Sequence, residues 1–117
     1  MKKQETNEKK FALAAAKIAA ERHCTDIVVL DLTGISPATD FYVIATGTSD
    51  RQMKTVSDEI SQAGREMDMP RFGRAGYEKA RWILLDFVNV VVHLFDSEYR
   101  EYYDLELLWG DAKKLNI

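Results

Sequence analysis

Two apolar runs separated by only two residues constrain the fold of this chain more than any other feature. Residues 82–87 (WILLDF) and 90–95 (VVVHLF) are rich in branched and aromatic side chains. Runs of this length and composition form β-strands, and a two-residue spacer is typical of a tight hairpin. The sequence therefore predicts two neighbouring antiparallel strands joined at Val88 and Asn89.

The expected hairpin determines which side chains share a face of the sheet. With a two-residue loop, Trp82 lies opposite Phe95, and Asp86 lies diagonal to His93. A histidine close to an acid resembles part of a proton relay, but no activated nucleophile accompanies this pair. We therefore interpret His93 as a strand histidine that is hydrogen-bonded to a neighbour.

Three further segments have strand character. Residues 27–30 are a continuous apolar run, which is typical of a strand buried on both faces. Residues 41–46 form a second such segment, closed by Gly47. Residues 70–77 contain a proline, two glycines and two arginines, which favours an edge strand or a loop. A sheet of about five strands is expected.

Helices are expected between and after these strands. Apolar residues at steps of three and four predict an amphipathic helix over residues 7–23 and a clearer one whose apolar residues run from Met53 to Met67. Ser49 and Gln52 have the spacing of a capping box, so the second helix is expected to begin there. Tyrosines and a leucine recur at helical spacing in residues 97–109, which predicts a third helix.

Length and cysteine content limit the class of protein. A chain of 117 residues is long enough for one compact domain and too short for two, so we expect a single domain over residues 1–117 with an ordered core over about 7–111. The lone Cys24 cannot form an intramolecular disulfide, which fits a reducing compartment. No stretch approaches the ~20 apolar residues that cross a bilayer. We therefore expect a cytoplasmic protein without membrane contact.

Charge is distributed unevenly along the chain. Residues 82–111 carry seven acidic side chains and one basic one, together with both tryptophans and three of the five tyrosines. Three tyrosines within five residues are too many for one helix to bury, and exposed tyrosine and tryptophan anchor protein interfaces. The surrounding acids would attract a basic partner. The alternative is that most apolar residues here are core and that the acids only solvate the surface.

The turn at residues 47–49 is the feature that best fits an enzyme. It lies between a strand and a helix start, where free backbone amides can hold a phosphate. Nucleotidyl transfer also needs carboxylates that converge on Mg²⁺, whereas Asp58 and Glu59 are adjacent on a helix and diverge. His23 and Cys24 are too few ligands for zinc. We therefore expect no catalytic residues, cofactor or metal.

A basic stretch precedes the acidic segment and raises the alternative of an RNA-binding module. Its members are Arg65, Arg71, Arg74, Lys79 and Arg81. Clustered basic residues bind phosphate, but few aromatic residues accompany them and no known RNA-binding module occurs. We interpret the stretch as a solvated edge.

Several motifs occur in the order found in the ribosomal silencing factors, also called the Iojap family. They are residues 26–32, the run PATDFY at 37–42, the turn TGTS at 46–49, the two hairpin strands, and residues 100–110. Together they resemble the family over roughly residues 7–111. The hairpin tip departs from it, because Val88 and Asn89 stand where the family commonly has glycine and aspartate.

The resemblance implies an α/β fold: a single domain with a mixed sheet of about five strands flanked by helices, related to nucleotidyltransferases but lacking their catalytic acids. Members of the family bind a β-barrel protein of the large ribosomal subunit, protein fourteen, on the surface that meets the small subunit. They thereby block subunit association and repress translation under nutrient limitation or in stationary phase. The resemblance also implies a homodimer and leaves room for a peripheral ribosomal RNA contact by the basic stretch.

By position, the resemblance assigns the partner-binding surface to ten residues of the acidic segment. They are Trp82, Asp86, His93, Tyr99, Arg100, Tyr102, Tyr103, Asp104, Leu107 and Trp109.

Overall fold

Six strands form one mixed sheet in the computed structural model, which describes residues 6–117. The strands are β1 (Thr25–Asp31), β2 (Phe41–Thr46), β3 (Gly73–Ala75), β4 (Trp82–Asp86), β5 (Val90–Phe95) and β6 (Lys113–Lys114). Their order across the sheet is β3-β4-β5-β2-β1-β6. The neighbours β2 and β5 run parallel, whereas the other neighbouring pairs are antiparallel. The mixed sheet of a single compact α/β domain is therefore confirmed.

Helices cover both faces of this sheet unequally. They are α1 (Asn7–Glu21), α2 (Asp50–Glu66), α3 (Ser97–Tyr103) and α4 (Leu105–Leu108). The two long helices bury their apolar sides on the face that we call the inner face. The two short helices lie on the opposite, outer face. No helix within residues 6–117 is long and apolar enough to cross a bilayer.

The strand predicted over residues 27–30 is buried on both faces, as expected. Val29 packs in the inner core, whereas Leu30 belongs to the outer cluster with Ile44 and Phe95. Successive side chains of a strand point to opposite faces, so a continuous apolar run needs cover on both sides.

The start of α2 agrees with the predicted capping box. Ser49 Oγ accepts a hydrogen bond from the Gln52 amide at 3.1 Å, and Gln52 Oε1 accepts one from the Thr48 amide at 2.6 Å. The amides at a helix N-terminus have no partner within the helix, and these side chains supply acceptors for two of the nearby donors. Arg22 and His23 follow α1 outside the helix, which ends at Glu21 rather than at residue 23.

The hairpin of β4 and β5 has the predicted register. Trp82 lies opposite Phe95, and Asp86 lies opposite Val91 and therefore diagonal to His93. This register keeps the aromatic residues of both strands on the outer face.

The hairpin turn is strained at Val88. This residue has φ of 73°, and the Asn89 amide donates across it to the Phe87 carbonyl at 3.0 Å. A positive φ suits glycine and is unusual for a β-branched residue. Asp86 Oδ1 accepts from the Val88 amide at 2.7 Å and so supports the turn. Valine therefore occupies a position where glycine would fit without strain.

The helix predicted over residues 97–109 is interrupted. Asp104 adopts the left-handed conformation, with φ of 42° and ψ of 59°, and divides the segment into α3 and α4. Aspartate tolerates this conformation better than most residues. After the break, Leu105 and Trp109 pack against the outer cluster.

The sheet has a sixth strand that the sequence pattern did not indicate. In β6, Lys113 pairs with Asp31 and Lys114 with Leu30, so the sheet extends beyond the expected core limit at residue 111. A two-residue strand made of lysines has neither the length nor the composition that predicts a strand.

His93 is buried within the outer face. Its side chain is 3% exposed, and its Nδ1 accepts a hydrogen bond from Trp82 Nε1 at 3.1 Å. An indole nitrogen only donates, so the neutral imidazole carries its proton on Nε2. Burial lowers the pKa of His93 from 6.5 to about 4. The interpretation of His93 as a strand histidine bonded to a neighbour is confirmed.

The lowered pKa of His93 predicts a pH-dependent stability. Because the folded state favours the neutral imidazole, the unfolded chain takes up the proton first as the pH falls. Stability is expected to be greatest above pH 6.5 and to fall between pH 6.5 and 4, by up to about 3 kcal/mol from this residue. Urea unfolding at several pH values measures the loss.

His93→Gln is the control for this measurement, because glutamine can accept from Trp82 but does not titrate. The variant should lose less stability than the parent over the same pH range. Equal losses in both proteins would show that His93 does not contribute.

Candidate partner-binding surface

Four large side chains on α3 and α4 are mostly exposed and lie close together in the chain. Tyr102, Tyr103, Leu107 and Leu108 are 79%, 45%, 78% and 72% exposed. We call these four residues the tyrosine–leucine patch. Grouped exposure of large apolar side chains is uncommon on monomeric proteins and marks interaction surfaces. The patch also agrees with the expectation that some tyrosines of this segment are exposed.

An aromatic cluster supports the patch from below. The Trp82 ring stacks on Phe95 with a centroid distance of 4.9 Å and contacts Tyr103 at 4.7 Å. Tyr103 also lies 5.7 Å from Tyr99 and 5.0 Å from Tyr102. Rings at these distances attract one another beyond the effect of their burial. The exposed tyrosines are therefore held in place before any partner binds.

Arg81 fixes the start of α3. Its guanidinium lies 4.4 Å from the centre of the Tyr99 ring and donates to Asp96 Oδ2 at 2.6 Å and to Glu98 Oε2 at 3.1 Å. Asp96 Oδ1 accepts from the Tyr99 amide at 2.8 Å and caps the helix. The cap is thus Asp96, and α3 begins at Ser97, the first residue of the predicted third helix.

Arg100 connects both short helices to the sheet. Its Nε and Nη2 donate to Glu106 Oε1 at 3.2 and 2.9 Å. Its Nη1 donates to Thr46 Oγ1 at 3.0 Å and to the Asp26 carbonyl. The side chain is 13% exposed. Arg100 therefore points inward and holds α3, α4 and the ends of two strands together.

A polar cleft of about 640 Å³ opens beside Arg100, at the start of β1 and the end of β2. Asp26, Glu101 and Glu106 contribute its carboxylates, and Thr46 and Ser97 contribute hydroxyl groups. The Arg100 donors are already bonded within the protein. The acidic groups at its rim add to the negative charge around the tyrosine–leucine patch.

An apolar cleft of about 360 Å³ adjoins the aromatic cluster on the outer face near β3. Its lining residues are Ala75, Gly76, Lys79, Arg81, Trp82, Leu84 and Tyr99. A cleft of this kind can receive an apolar side chain of a partner. Leu84 was not among the predicted contact residues, although its alternation with Trp82 along β4 could have indicated it. Leu108 was also missed, because its exposure depends on the break at Asp104.

The ten predicted contact residues fall into three groups in the structure. Those on the exposed surface are Tyr102, Tyr103, Asp104 and Leu107. Those half-buried around the outer cluster are Trp82, Tyr99 and Trp109. Those whose polar groups are bonded inside the protein are Asp86, His93 and Arg100. With 3% exposure, His93 is placed to hold Trp82 rather than to contact a partner directly.

Two backbone amides of the turn at residues 47–49 donate to acceptors within the protein. The Gly47 amide donates to the Phe95 carbonyl at 2.8 Å, and the Thr48 amide donates to Gln52 Oε1. A Cβ on Gly47 would lie 2.2 Å from Met53 Cγ, so close packing accounts for the glycine. Across residues 6–117, no three His, Cys, Asp or Glu side chains are grouped so that they could hold a metal ion.

The basic stretch is largely engaged within the protein. Arg74 pairs with Asp58 at 2.8 Å, Arg71 Nη1 donates to Ser61 Oγ at 3.0 Å, and Arg65 donates to Gln62. With the pairing of Arg81 described above, these contacts reduce the capacity of the stretch to bind phosphate.

Comparison with known proteins identifies relatives that match nearly the whole of this chain. Residues 4–117 match the family model described as "Ribosomal silencing factor during starvation". Ribosomal silencing factor RsfS of Bacillus subtilis is 39% identical over 106 residues, which cover 91% of this chain and 90% of that protein. The chloroplastic protein Iojap of Zea mays is 34% identical over 92% of this chain and 46% of its own length.

Solved structures agree with these sequence matches. A crystal structure of a Chromobacterium violaceum protein superposes with a TM-score of 0.83 at 29% identity, covering 94% of this chain and 91% of that one. A Bacillus halodurans protein superposes with a TM-score of 0.76 at 32% identity, covering 93% and 96%. The predicted family is confirmed: this chain belongs to the ribosomal silencing factors.

Proposed function

We propose that this protein binds protein fourteen of the large ribosomal subunit and thereby blocks association with the small subunit. The observation that carries the proposal is the tyrosine–leucine patch, a preorganised and exposed apolar surface within an acidic segment. The relatives are named ribosomal silencing factors, which is a regulatory role. Translation would fall under nutrient limitation or in stationary phase, in the cytoplasm and without covalent chemistry.

The chemistry of the patch fits a basic protein partner. Residues 96–111 carry six acidic side chains and one basic one, and that basic residue, Arg100, is paired with Glu106. Acidic groups around an apolar centre steer a basic partner and fix its orientation, while the apolar centre supplies most of the affinity. A folded domain that occupies the joining surface is sufficient to exclude the other subunit.

The alternatives have weaker support. Nucleotidyl transfer at the turn of residues 47–49 would use the backbone amides of Gly47 and Thr48, which already donate to protein acceptors. An RNA-binding module built on the basic stretch would use arginines that already bond to neighbouring side chains. Homodimer formation stays a prediction from the family resemblance.

Sedimentation of purified ribosomal subunits tests the proposal. The protein is expected to migrate with the large subunit and to reduce the peak of joined ribosomes in proportion to its occupancy. Comigration without any change in that peak would leave binding intact and remove the proposed block of association. Absence from the large-subunit fraction at micromolar concentration would reject both.

Truncation of the tyrosine–leucine patch should weaken binding without unfolding the protein. Tyr102→Ala and Leu107→Ala are each expected to cost about 1 to 4 kcal/mol of affinity for protein fourteen, because both side chains would be buried by the partner. Since both are nearly 80% exposed in the free protein, its stability should change by less than about 0.5 kcal/mol. Titration calorimetry and urea unfolding measure the two quantities.

Phe72→Ala is the matched control, because Phe72 is 79% exposed like Tyr102 but lies beside β3, outside the patch. It should leave affinity unchanged. If Phe72→Ala and Tyr102→Ala weaken binding equally, or if neither does, the patch is not the contact surface.

Arg100 is expected to act by positioning the patch. Arg100→Lys keeps the charge but cannot reproduce the fork that reaches Glu106, Thr46 and the Asp26 carbonyl. We expect faster amide hydrogen exchange in residues 97–108 and about tenfold weaker partner binding, because the looser segment must be ordered on binding. Exchange mass spectrometry and calorimetry provide the two readouts.

Glu106→Gln is the companion variant, since it removes the charge pair but leaves the other Arg100 contacts. Its effects on exchange and on affinity should be smaller and in the same direction. Weaker binding of Arg100→Lys with unchanged exchange would instead assign Arg100 to direct contact.

A further inference from the structure

Lysines from the first helix and the last strand form a basic surface along one edge of the sheet. A cleft of about 260 Å³ is lined by Lys9 and Leu13 of α1 and by Lys113 and Lys114 of β6, which shows that the two elements adjoin. Along α1, Lys10 stands three residues before Leu13 and Lys17 stands four residues after it, so both lie on the same side of the helix as Leu13. We call Lys9, Lys10, Lys17, Lys113 and Lys114 the lysine edge.

The lysines of this edge other than Lys9 have no carboxylate partner among residues 6–117. In the part of the chain that the structure describes, Lys10, Lys17, Lys113 and Lys114 are exposed and form no ion pair. Asp31 lies opposite Lys113 in the strand register, and its carboxylate accepts from the Thr33 amide and hydroxyl rather than from a lysine, so it offsets part of the positive charge without forming an ion pair. Unpaired ammonium groups in one area produce a local positive potential.

The arginines of the chain behave differently. Within residues 6–117, ion pairs with carboxylates engage Arg22, Arg74, Arg81 and Arg100. In the stretch of residues 65–81, carboxylates therefore compensate the charges of Arg74 and Arg81, whereas four members of the lysine edge have no carboxylate partner among the described residues. The sequence alone pointed to the arginine-rich stretch, because pairing is visible only in the folded protein.

The lysine edge is also remote in the sheet from the aromatic cluster. In the strand order, β6 is one edge, and β3 and β4, which line the apolar cleft beside Trp82, are at the other side. The protein thus presents an aromatic cluster near β4 and a basic surface at the β6 edge. In an assembly that contains both a basic protein and a polyanion, the acidic segment would contact the protein and the lysine edge would contact the polyanion.

We propose that the lysine edge binds the phosphate backbone of RNA beside the protein docking site. This inference rests on the proposed ribosomal function, which makes RNA the polyanion nearest to the bound protein. Lysine recognises phosphate as a point charge without base specificity, so the contact would add affinity and not sequence selectivity. Joining a weak RNA contact to a protein contact makes the second binding event intramolecular and increases total affinity.

The test compares two triple variants with the same loss of charge. The edge variant carries Lys10→Gln, Lys113→Gln and Lys114→Gln. The control variant carries Arg51→Gln, Lys54→Gln and Arg65→Gln on α2. Binding to purified large subunits is measured from about 50 to 200 mM salt, the range in which phosphate contacts weaken strongly, and binding to isolated protein fourteen is measured in parallel.

The edge variant should bind large subunits at least tenfold more weakly at the lowest salt, and the slope of log K against log salt should flatten by about 2 to 3 units. Its affinity for isolated protein fourteen should not change. The control variant should resemble the parent in both assays. A subunit affinity and salt slope equal to those of the parent would overturn the proposal while leaving the proposed function intact.

Two further outcomes separate the competing explanations. Loss of affinity for isolated protein fourteen in the edge variant would assign the lysines to the protein contact and overturn the RNA proposal. Equal binding of both variants to large subunits, with loss of binding to phosphatidylserine vesicles only in the edge variant, would identify a lipid surface instead. If the parent binds subunits through the lysine edge but does not bind protein fourteen, the RNA contact stands and the proposed partner is wrong.

Discussion

Two short helices cover the apolar outer face of the sheet. The proposed binding surface depends on the contacts that hold these helices on the sheet. Helices of seven and four residues are not stable alone, because nucleation is costly and few hydrogen bonds follow it. The segment is therefore stabilised by contacts with the sheet. Arg100 anchors it at the ends of β1 and β2, Arg81 anchors its start, and the ring of Trp82 packs beneath Tyr103.

Such contacts explain why the exposed side chains can remain exposed. Aromatic packing and charged hydrogen bonds determine the path of the backbone, so Tyr102, Leu107 and Leu108 are not needed to hold the segment in place. A partner that covers them gains apolar contact without ordering the segment first. Partner recognition and local stability are thus assigned largely to different side chains, although Tyr103 contributes to both.

The sequence predicted the hairpin register, the two long helices and the acidic aromatic segment, because each depends on local patterns of hydrophobicity or charge. It did not predict the break at Asp104 or the strand β6, since both depend on contacts with distant parts of the sheet. The same limit applies to the site. Arg100 and His93 were assigned to the surface by position, but only the fold shows that their polar groups bond to Glu106 and Trp82. Sequence patterns cannot show which charges are paired.

The inward placement of His93 has a consequence for the surface above it. Since burial lowers its pKa to about 4, the imidazole stays neutral throughout the physiological pH range and keeps accepting from the Trp82 indole. A protonated imidazole would have no free acceptor, and the indole would lose its partner inside the outer cluster. The geometry of Trp82 and of the tyrosines packed on it is therefore insensitive to modest acidification. A change in binding at mildly acidic pH would therefore have to act through a group other than this histidine.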